Sequence, residues 1–441
     1  LFFRHFKLLI NFLNLNIYFL QMGKTQQHAK KSVDLGRPLA ILCISSFFKG
    51  EEFLRSSKAE GCTTYLVTSE QLRGAAWPRA SLDDIFFVKD RSAEKGDWDM
   101  DDLVAGLSWL MRTRPIDVIV ALDDFDVEKA AHLREHFRID GMGQTTARFF
   151  RDKLAMRLRA QDAGIRVPKF TALFNDAQIN HYLDNISFPV LIKPRSEASA
   201  TGIRKVHSKE QAWEVLNDLG DRRHHYLMEQ FKPGDVFHAD ALSLGGKILF
   251  CRISRYLATP MEVAHGGGIF RSMTVDFDGE DDKKMQAMTS EVMNAFRMQY
   301  SASHTEFIKD HETGDIIFLE TSSRVGGAHL AEMVEASSGI NLWREWAKLE
   351  KATALGEPYK LPKVRNDYAG ILVSLSRFQR PDMSVFDDKE IVWRMTEKEY
   401  HVGMIVQSTS KNRIETLLDN YAERVKNDFH ASAPLPDKPV S

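Results

Sequence analysis

An α/β layer followed by an α+β region is the fold class that the sequence predicts, on three observations. Short β-rich runs alternate with helical spacings between Pro38 and Phe137, the pattern of βαβ units around a mainly parallel sheet. From Val167 onward the β segments lengthen and are separated by glycine-rich or acidic turns. A last stretch from about Asp367 joins two strand-like runs to one helical pattern. With 441 residues, 43% of them apolar and 27% charged, the chain can bury the core that two or three packed domains require.

Residues 39–44, 64–67, 85–88 and 118–121 are the expected strands of the first layer, each a short β-rich run. Residues 101–112 and 125–137 carry apolar side chains at helical spacing, as do 151–163, which Gly164 ends. Beyond them 190–193, 226–228, 239–244, 370–374 and 402–406 are strand-like, 413–425 is helical, and the Pro-rich tail after Ala431 is expected to fray. The expected divisions are an extension over 1–37, disordered or an upstream artefact, and a βαβ domain over 38–145. A core over 146–350 follows, with a lid subdomain at about 168–230, and then a C-terminal α+β segment over 351–441.

Charge narrows the partners. A formal net charge of −2 leaves no excess of Lys or Arg for phosphate neutralisation, so small molecules rather than nucleic acid are expected. Cys43, Cys62 and Cys251 lie far apart with no CxxC pair, which fits neither a disulfide framework nor a thiolate metal site and points to a reducing cytoplasm. Residues 8–20 are apolar and follow Arg4, His5 and Lys7 as in a targeting signal. Asn11, Asn14 and Asn16 interrupt that run, which is too short to span a bilayer, and Met22 then opens a polar stretch. No stable membrane association is expected.

The most informative stretch is Thr305-Glu306-Phe307-Ile308, a turn from Lys309 to Asp315, and Ile316-Ile317-Phe318-Leu319-Glu320. It predicts a β-hairpin. With the turn centred on Thr313, Glu306 faces Glu320 on one side of the ribbon and Phe307 faces Leu319 on the other. Opposed carboxylates repel, and strands this apolar make unpaired ones costly, so a hard cation between them accounts for the pair. Mg²⁺ takes such oxygens. Alternation carries the same face on to Ser322 and Arg324 and back to His304, a candidate substrate contact whose alternative role is structural. Gly326-Gly327 sets an open backbone beside the Arg324 guanidinium.

Lysines supply the opposite charge. Lys193 ends the run Val190-Leu191-Ile192-Lys193-Pro194 and precedes Ser196-Glu197-Ala198-Ser199-Ala200-Thr201-Gly202, small side chains that let backbone N–H groups approach phosphate oxygens. No GKS or GKT follows, so the loop is not a Walker motif. Lys153 follows Asp152, a helix-start residue. Tyr226-Leu227-Met228-Glu229-Gln230-Phe231 runs into Lys232-Pro233-Gly234-Asp235, a strand and turn suited to the edge of an adenine.

Taken in order, Asp152-Lys153, Lys193 with its loop, Glu229, Glu306 and Glu320-Thr321-Ser322-Ser323-Arg324 resemble the signatures of the ATP-grasp superfamily, in its carboxylate–amine and amino-acid ligase-like branch. The resemblance runs from about Phe149 to Leu342 and, with the flanking segments, covers most of the chain after Arg37. It implies an ATP-grasp fold behind a βαβ pre-ATP-grasp domain, with ATP held between two α+β halves. Lys153 and Lys193 would contact the phosphates under the loop that carries Ser199 and Gly202, and Glu229, Gln230 and Phe231 would hold adenine. Glu306, Glu320 and Ser322 would ligate Mg²⁺ or Mn²⁺, while Arg324 and Lys193 stabilise the transferred phosphoryl group. Gly326 and Gly327 would border the substrates, an amino-acid-like carboxylate and an amine joined with release of ADP. The family often forms homodimers. The loop at 196–202 and the stretch Ala264-His265-Gly266-Gly267-Gly268 are the segments expected to close over the ligands.

Two positions depart from the family pattern. Ser322 stands where the metal-site signature has asparagine, a shorter and weaker ligand, and Val236 stands where many members have a ribose-binding Glu. Asp235 or His238 is the expected substitute. Two other functions compete with the ligase: a bicarbonate-phosphorylating, carboxylase-like enzyme, disfavoured by a Ser/Ala-rich rather than glycine-rich loop, and a non-catalytic ATP-binding regulator. Joint retention of Lys153, Lys193, Glu306, Glu320 and Arg324 argues against the regulator.

Overall fold

A computed structural model describes residues 33–93, 95–197 and 201–432, so the expected extension up to residue 32 and the tail from 433 lie outside the described residues. The mixed α/β and α+β architecture is the one the sequence predicts. Its first layer comprises β1 (Ala40–Ser45), α1 (Glu51–Ala59), β2 (Thr63–Ser69), β3 (Asp84–Val88), α2 (Met100–Leu110), β4 (Val118–Ala121), α3 (Val127–Phe137) and the short α4 (Gln144–Arg148). The strands pair in parallel in the order β3-β2-β1-β4. Every residue of β1 is buried, because helices cover both faces: Ile41 and Cys43 pack with Phe53 of α1, Leu42 and Ile44 with Leu103 and Leu107 of α2. That is why this strand reads as a continuous apolar run.

Helix α5 (Lys153–Asp162) leads out of this layer, its first turn capped by Asp152, whose carboxylate accepts from Leu154 N at 3.0 Å. A small antiparallel sheet follows, formed by β5 (Phe170–Ala172), β6 (Val190–Pro194), β7 (Arg204–Val206) and β8 (Tyr226–Gln230) in the order β5-β8-β6-β7, with α6 (Asp176–Asp184) and α7 (Lys209–Leu219) between its strands. Val190 and Ile192 point into the apolar cluster under those helices, together with Ile179 and Leu216. Strand alternation therefore turns Leu191 and Lys193 to the other face, where they line a cavity.

The central sheet has eight strands, in the order β13-β12-β9-β10-β11-β14-β16-β15. These are β9 (Gly234–Leu244), β10 (Lys247–Tyr256), β11 (Phe270–Thr274), β12 (Tyr300–Asp310), β13 (Ile316–Ser322), β14 (Tyr368–Leu375), β15 (Ile391–Arg394) and β16 (His401–Ser408). Helices α8 (Pro260–Gly266), α9 (Glu280–Ala295), α10 (Leu330–Ser338), α11 (Leu342–Leu355) and α12 (Lys411–Asp428) complete the fold. The C-terminal strands continue this sheet through the β11–β14 ladder. Among the described residues no helix is long and apolar enough to cross a membrane.

The hairpin forms, and its ladder sets Glu306 opposite Glu320. The expected partner of Phe307 is corrected: it pairs with Phe318, because the register shifts between Glu306 and Phe307 and leaves Leu319 as the extra residue of a bulge. The shift lets Phe307 and Phe318 both enter one core cluster with Phe296 while the two acids stay aligned. A strictly regular ribbon could not satisfy both faces.

Candidate active site

Two cavities meet over the acid pair. One, of about 420 Å³, is lined by Lys153, Lys193, Glu229, Phe231, Glu306 and Glu320, among others. The other, of about 310 Å³, shares Lys153, Glu306 and Glu320 and adds Asp124, His304 and Arg324. The two acids are countered unequally. Lys153 Nζ lies 3.0 Å from Glu320 Oε2 and donates to Glu197 O at 2.7 Å, whereas Glu306 Oε1 accepts from Tyr256 OH at 2.9 Å, with His304 Nε2 3.6 Å away. Burial pushes the Glu320 carboxyl up, but Lys153 and Lys193 outweigh it and hold the group below its ordinary value. Opposed carboxylates with spare oxygens on neighbouring strands fit a hard divalent ion. Ser322 borders the smaller cavity.

Deeper in, Glu229 is bound on both sides. Lys193 Nζ forms a close ion pair with Oε1, and Arg157 reaches Oε2 through Nε at 3.0 Å and Nη2 at 2.9 Å. Arg157 is fully buried and also donates to the Leu319 carbonyl, so it ties α5, β8 and the bulge of β13 together. Burial opposes ionisation of Glu229 most strongly, yet the two cations keep its carboxyl below the ordinary range. Burial also draws the Lys193 ammonium down to about 8, against the pull of Glu229. Gln230 and Phe231 line the larger cavity, but their N–H groups already donate, to Lys169 O at 2.8 Å and Pro189 O at 3.1 Å.

Arg324 meets the first layer. Its Nε donates to Asp124 Oδ2 at 2.9 Å, and Nη2 makes a second, closer contact with the same oxygen. Burial lowers the guanidinium's affinity for its proton, and Asp124 and Asp123 more than restore it. Asp124 Oδ1 is buried and has no hydrogen-bond partner. Gly327 borders the smaller cavity, but Gly326 does not: a Cβ there would come within 2.9 Å of both Asp240 Oδ1 and His304 Nδ1. Its lack of a side chain is a packing requirement.

His304 belongs to a buried triad. Asp240 accepts from His238 Nδ1 at 2.7 Å on one oxygen and from His304 Nδ1 at 2.8 Å on the other. Burial would lower the His304 value, but Asp240 and Glu306 raise it to about 9. The three residues present ligand-type atoms within 4.8 Å of one another, at separations that are those of hydrogen bonds.

Two expected ribose contacts are corrected. His238 is wholly buried, its Nε2 2.7 Å from Ser272 Oγ, and lines neither cavity. Asp235 sits on the opposite face of β9 from Gly234 and Val236, which do line the larger cavity; it faces His311 at 3.5 Å and Arg255 at 3.8 Å. Gly202 adopts φ +72 against Pro194, and its neighbours Thr201 and Ile203 reach the cavity. Ser199 lies outside the described residues. Residues 264–266, from the stretch expected to close over the ligands, form the end of helix α8, whose start is held by a Thr259–Glu262 capping box. Sequence reasoning missed Asp124, Arg157, Asp240 and Tyr256; only the Asp123-Asp124 doublet next to β4 carried any local signal.

The family model of the D-ala D-ala ligase C-terminus matches residues 160–242. An L-arginine-specific L-amino acid ligase of Bacillus subtilis is 27% identical over 243 residues, 53% of this chain and 57% of that protein, so the match spans little more than half of that relative. A D-alanine--D-alanine ligase of Neisseria gonorrhoeae is 21% identical over 220 residues, 49% of this chain and 72% of its own. Among solved structures, an L-amino acid ligase from Bacillus licheniformis superposes with a TM-score of 0.67 at 18% identity, covering 89% of this chain and 98% of its own. A biotin carboxylase from Campylobacter jejuni gives 0.63 at 16%, covering 86% and 90%. These last two show the fold.

Proposed function

We propose that the chain is an ATP-grasp enzyme, an ADP-forming ligase that joins an amino-acid-like carboxylate to an amine, a reading supported by its similarity to carboxylate–amine and amino-acid ligases. The observation that carries this is the shared wall of the two cavities, where Lys153, Glu306 and Glu320 border both chambers. ATP occupies the larger chamber, its phosphates running toward Lys153 and Lys193, and the substrates occupy the smaller one. Glu306 and Glu320 would hold Mg²⁺ or Mn²⁺, which neutralises and orients the polyphosphate when bound.

In the first step a carboxylate oxygen of the substrate attacks the terminal phosphorus, the bond to ADP breaks, and an acyl phosphate forms. In the second an amine attacks the acyl carbon, phosphate leaves, and the surplus amine proton passes to solvent. Lys193 and Arg324 spread the charge of the moving phosphoryl group, which is the main demand of such chemistry. Arg324 can serve the reaction only by sharing or leaving Asp124, so substrate binding is coupled to the first layer. The dipeptide or amide product follows from the branch that the chain resembles, and a cytoplasmic setting with ATP fits it. Incubation with ATP, Mg²⁺ and pooled amino acids, read as ADP release and product mass, tests the proposal. ADP release that needs an amino acid and disappears in Glu320→Ala is expected; ADP release indifferent to every carboxylate overturns it.

A further inference from the structure

A third cavity, of about 880 Å³, lies between the first layer, the start of β12 and α11, and shares no lining residue with the two chambers above. Its walls are chemically unusual for a packing defect. Glu350 is only 6% exposed; its Oε1 accepts from Trp346 Nε1 at 2.8 Å, and no other hydrogen bond to this carboxylate is found among the described residues. Burial pushes the carboxyl up to about 7, and the attraction of Arg134 only partly offsets this. Arg134 lines the same cavity and feels the field of Glu350 without forming an ion pair with it. Its Nε and Nη2 donate to Ile119 O and its Nη1 to Met142 O at 3.0 Å, which leaves one N–H on each terminal nitrogen. Thr353 Oγ1, on the α11 wall, is buried with no hydrogen-bond partner.

Buried polar groups are ordinarily satisfied, and a buried acid that faces a half-buried base across one cavity without joining it is costly to leave unanswered. We propose that this cavity is a binding site for a free α-amino acid, separate from the reaction chambers: the ammonium group takes Glu350, the carboxylate takes the spare N–H groups of Arg134, and Thr353 supplies a hydroxyl. Tyr300 and Trp346, also in the lining, give the side chain an aromatic wall. A zwitterion is the ligand class that answers both charges at once; a simple cation answers one.

Equilibrium dialysis of radiolabelled L-amino acids, one at a time and without nucleotide, against the full chain tests this. At least one amino acid binds wild type and Glu320→Ala alike, and binds Glu350→Gln at least tenfold more weakly. Glu350→Gln keeps the acceptor for Trp346, so its melting temperature serves as the folding control. Thr353→Met, which fills the cavity without breaking any hydrogen bond, weakens binding likewise. Equal binding by wild type and both variants overturns the site, as does equal binding of the matching decarboxylated amine. Since no catalysis is read, failure here leaves the ligase assignment standing, and loss of ADP release leaves this site standing.

Discussion

Two charge clusters adjoin along the strands of the site and differ in balance. Around Glu229 a single acid sits between Lys193 and Arg157, wholly out of solvent. Around the hairpin two acids, Glu306 and Glu320, are met by Lys153, the Tyr256 phenol and His304, whose charge Asp240 also draws on. In the first cluster two cations outnumber one acid and Arg157 locks the acid in place, whereas the second is richer in acid, and the contrast separates a joint that also offers Lys193 to the larger cavity from the proposed place for a metal.

Breaking the joint has the largest expected effect. Arg157→Leu strands Glu229 with half its compensation and frees the Leu319 carbonyl, which predicts a loss of about 3–5 kcal/mol in urea unfolding. Glu320→Ala does the reverse: ADP release falls by about 10²–10³-fold, while the urea midpoint barely moves because a facing acid has gone. A large stability loss in Glu320→Ala, or none in Arg157→Leu, erases the distinction. Gly326→Ala drives a methyl group into the His304–Asp240 contact and is expected to destabilise by about 1–3 kcal/mol in the same assay.

The mildest test is pH. Lys193 carries its charge below about 8 and loses it above. The KM for ATP therefore rises by up to about tenfold per pH unit beyond that point, and Lys193→Arg flattens the profile. Stability moves the other way. With a folded value below the ordinary 10.5, the unfolded chain binds more protons between about 8 and 10.5, so this group's contribution to stability grows with pH across that window. A KM profile that is flat in the wild type refutes the placement of Lys193 beside the phosphates.

Legibility followed the range of the cause. The strands of the first layer and the opposition of Glu306 to Glu320 rest on local period and on one turn, and both can be counted from the chain. The bulge at Leu319 cannot, because it arises from the demand that Phe307 and Phe318 share a core whose other wall is Phe296. Arg157 reads as an ordinary helix arginine until β8, 72 residues later, brings Glu229 to it, and Asp124 is 200 residues from Arg324. His238 was misassigned for the same reason, since Ser272 and Asp240 close around it only in the folded sheet.

Helix α8 has a consequence for which molecules can be made. Pro260 borders both chambers, Met261 and Glu262 line the larger one, and Val263 and Ala264 line the smaller one. On the proposed assignment of the chambers, one turn of chain is thus a partition between fuel and reactants, and its capping box fastens its first turn. If an amine enters the smaller chamber as proposed, the bulk at Val263 in its wall would limit the length of side chain that the amine can carry.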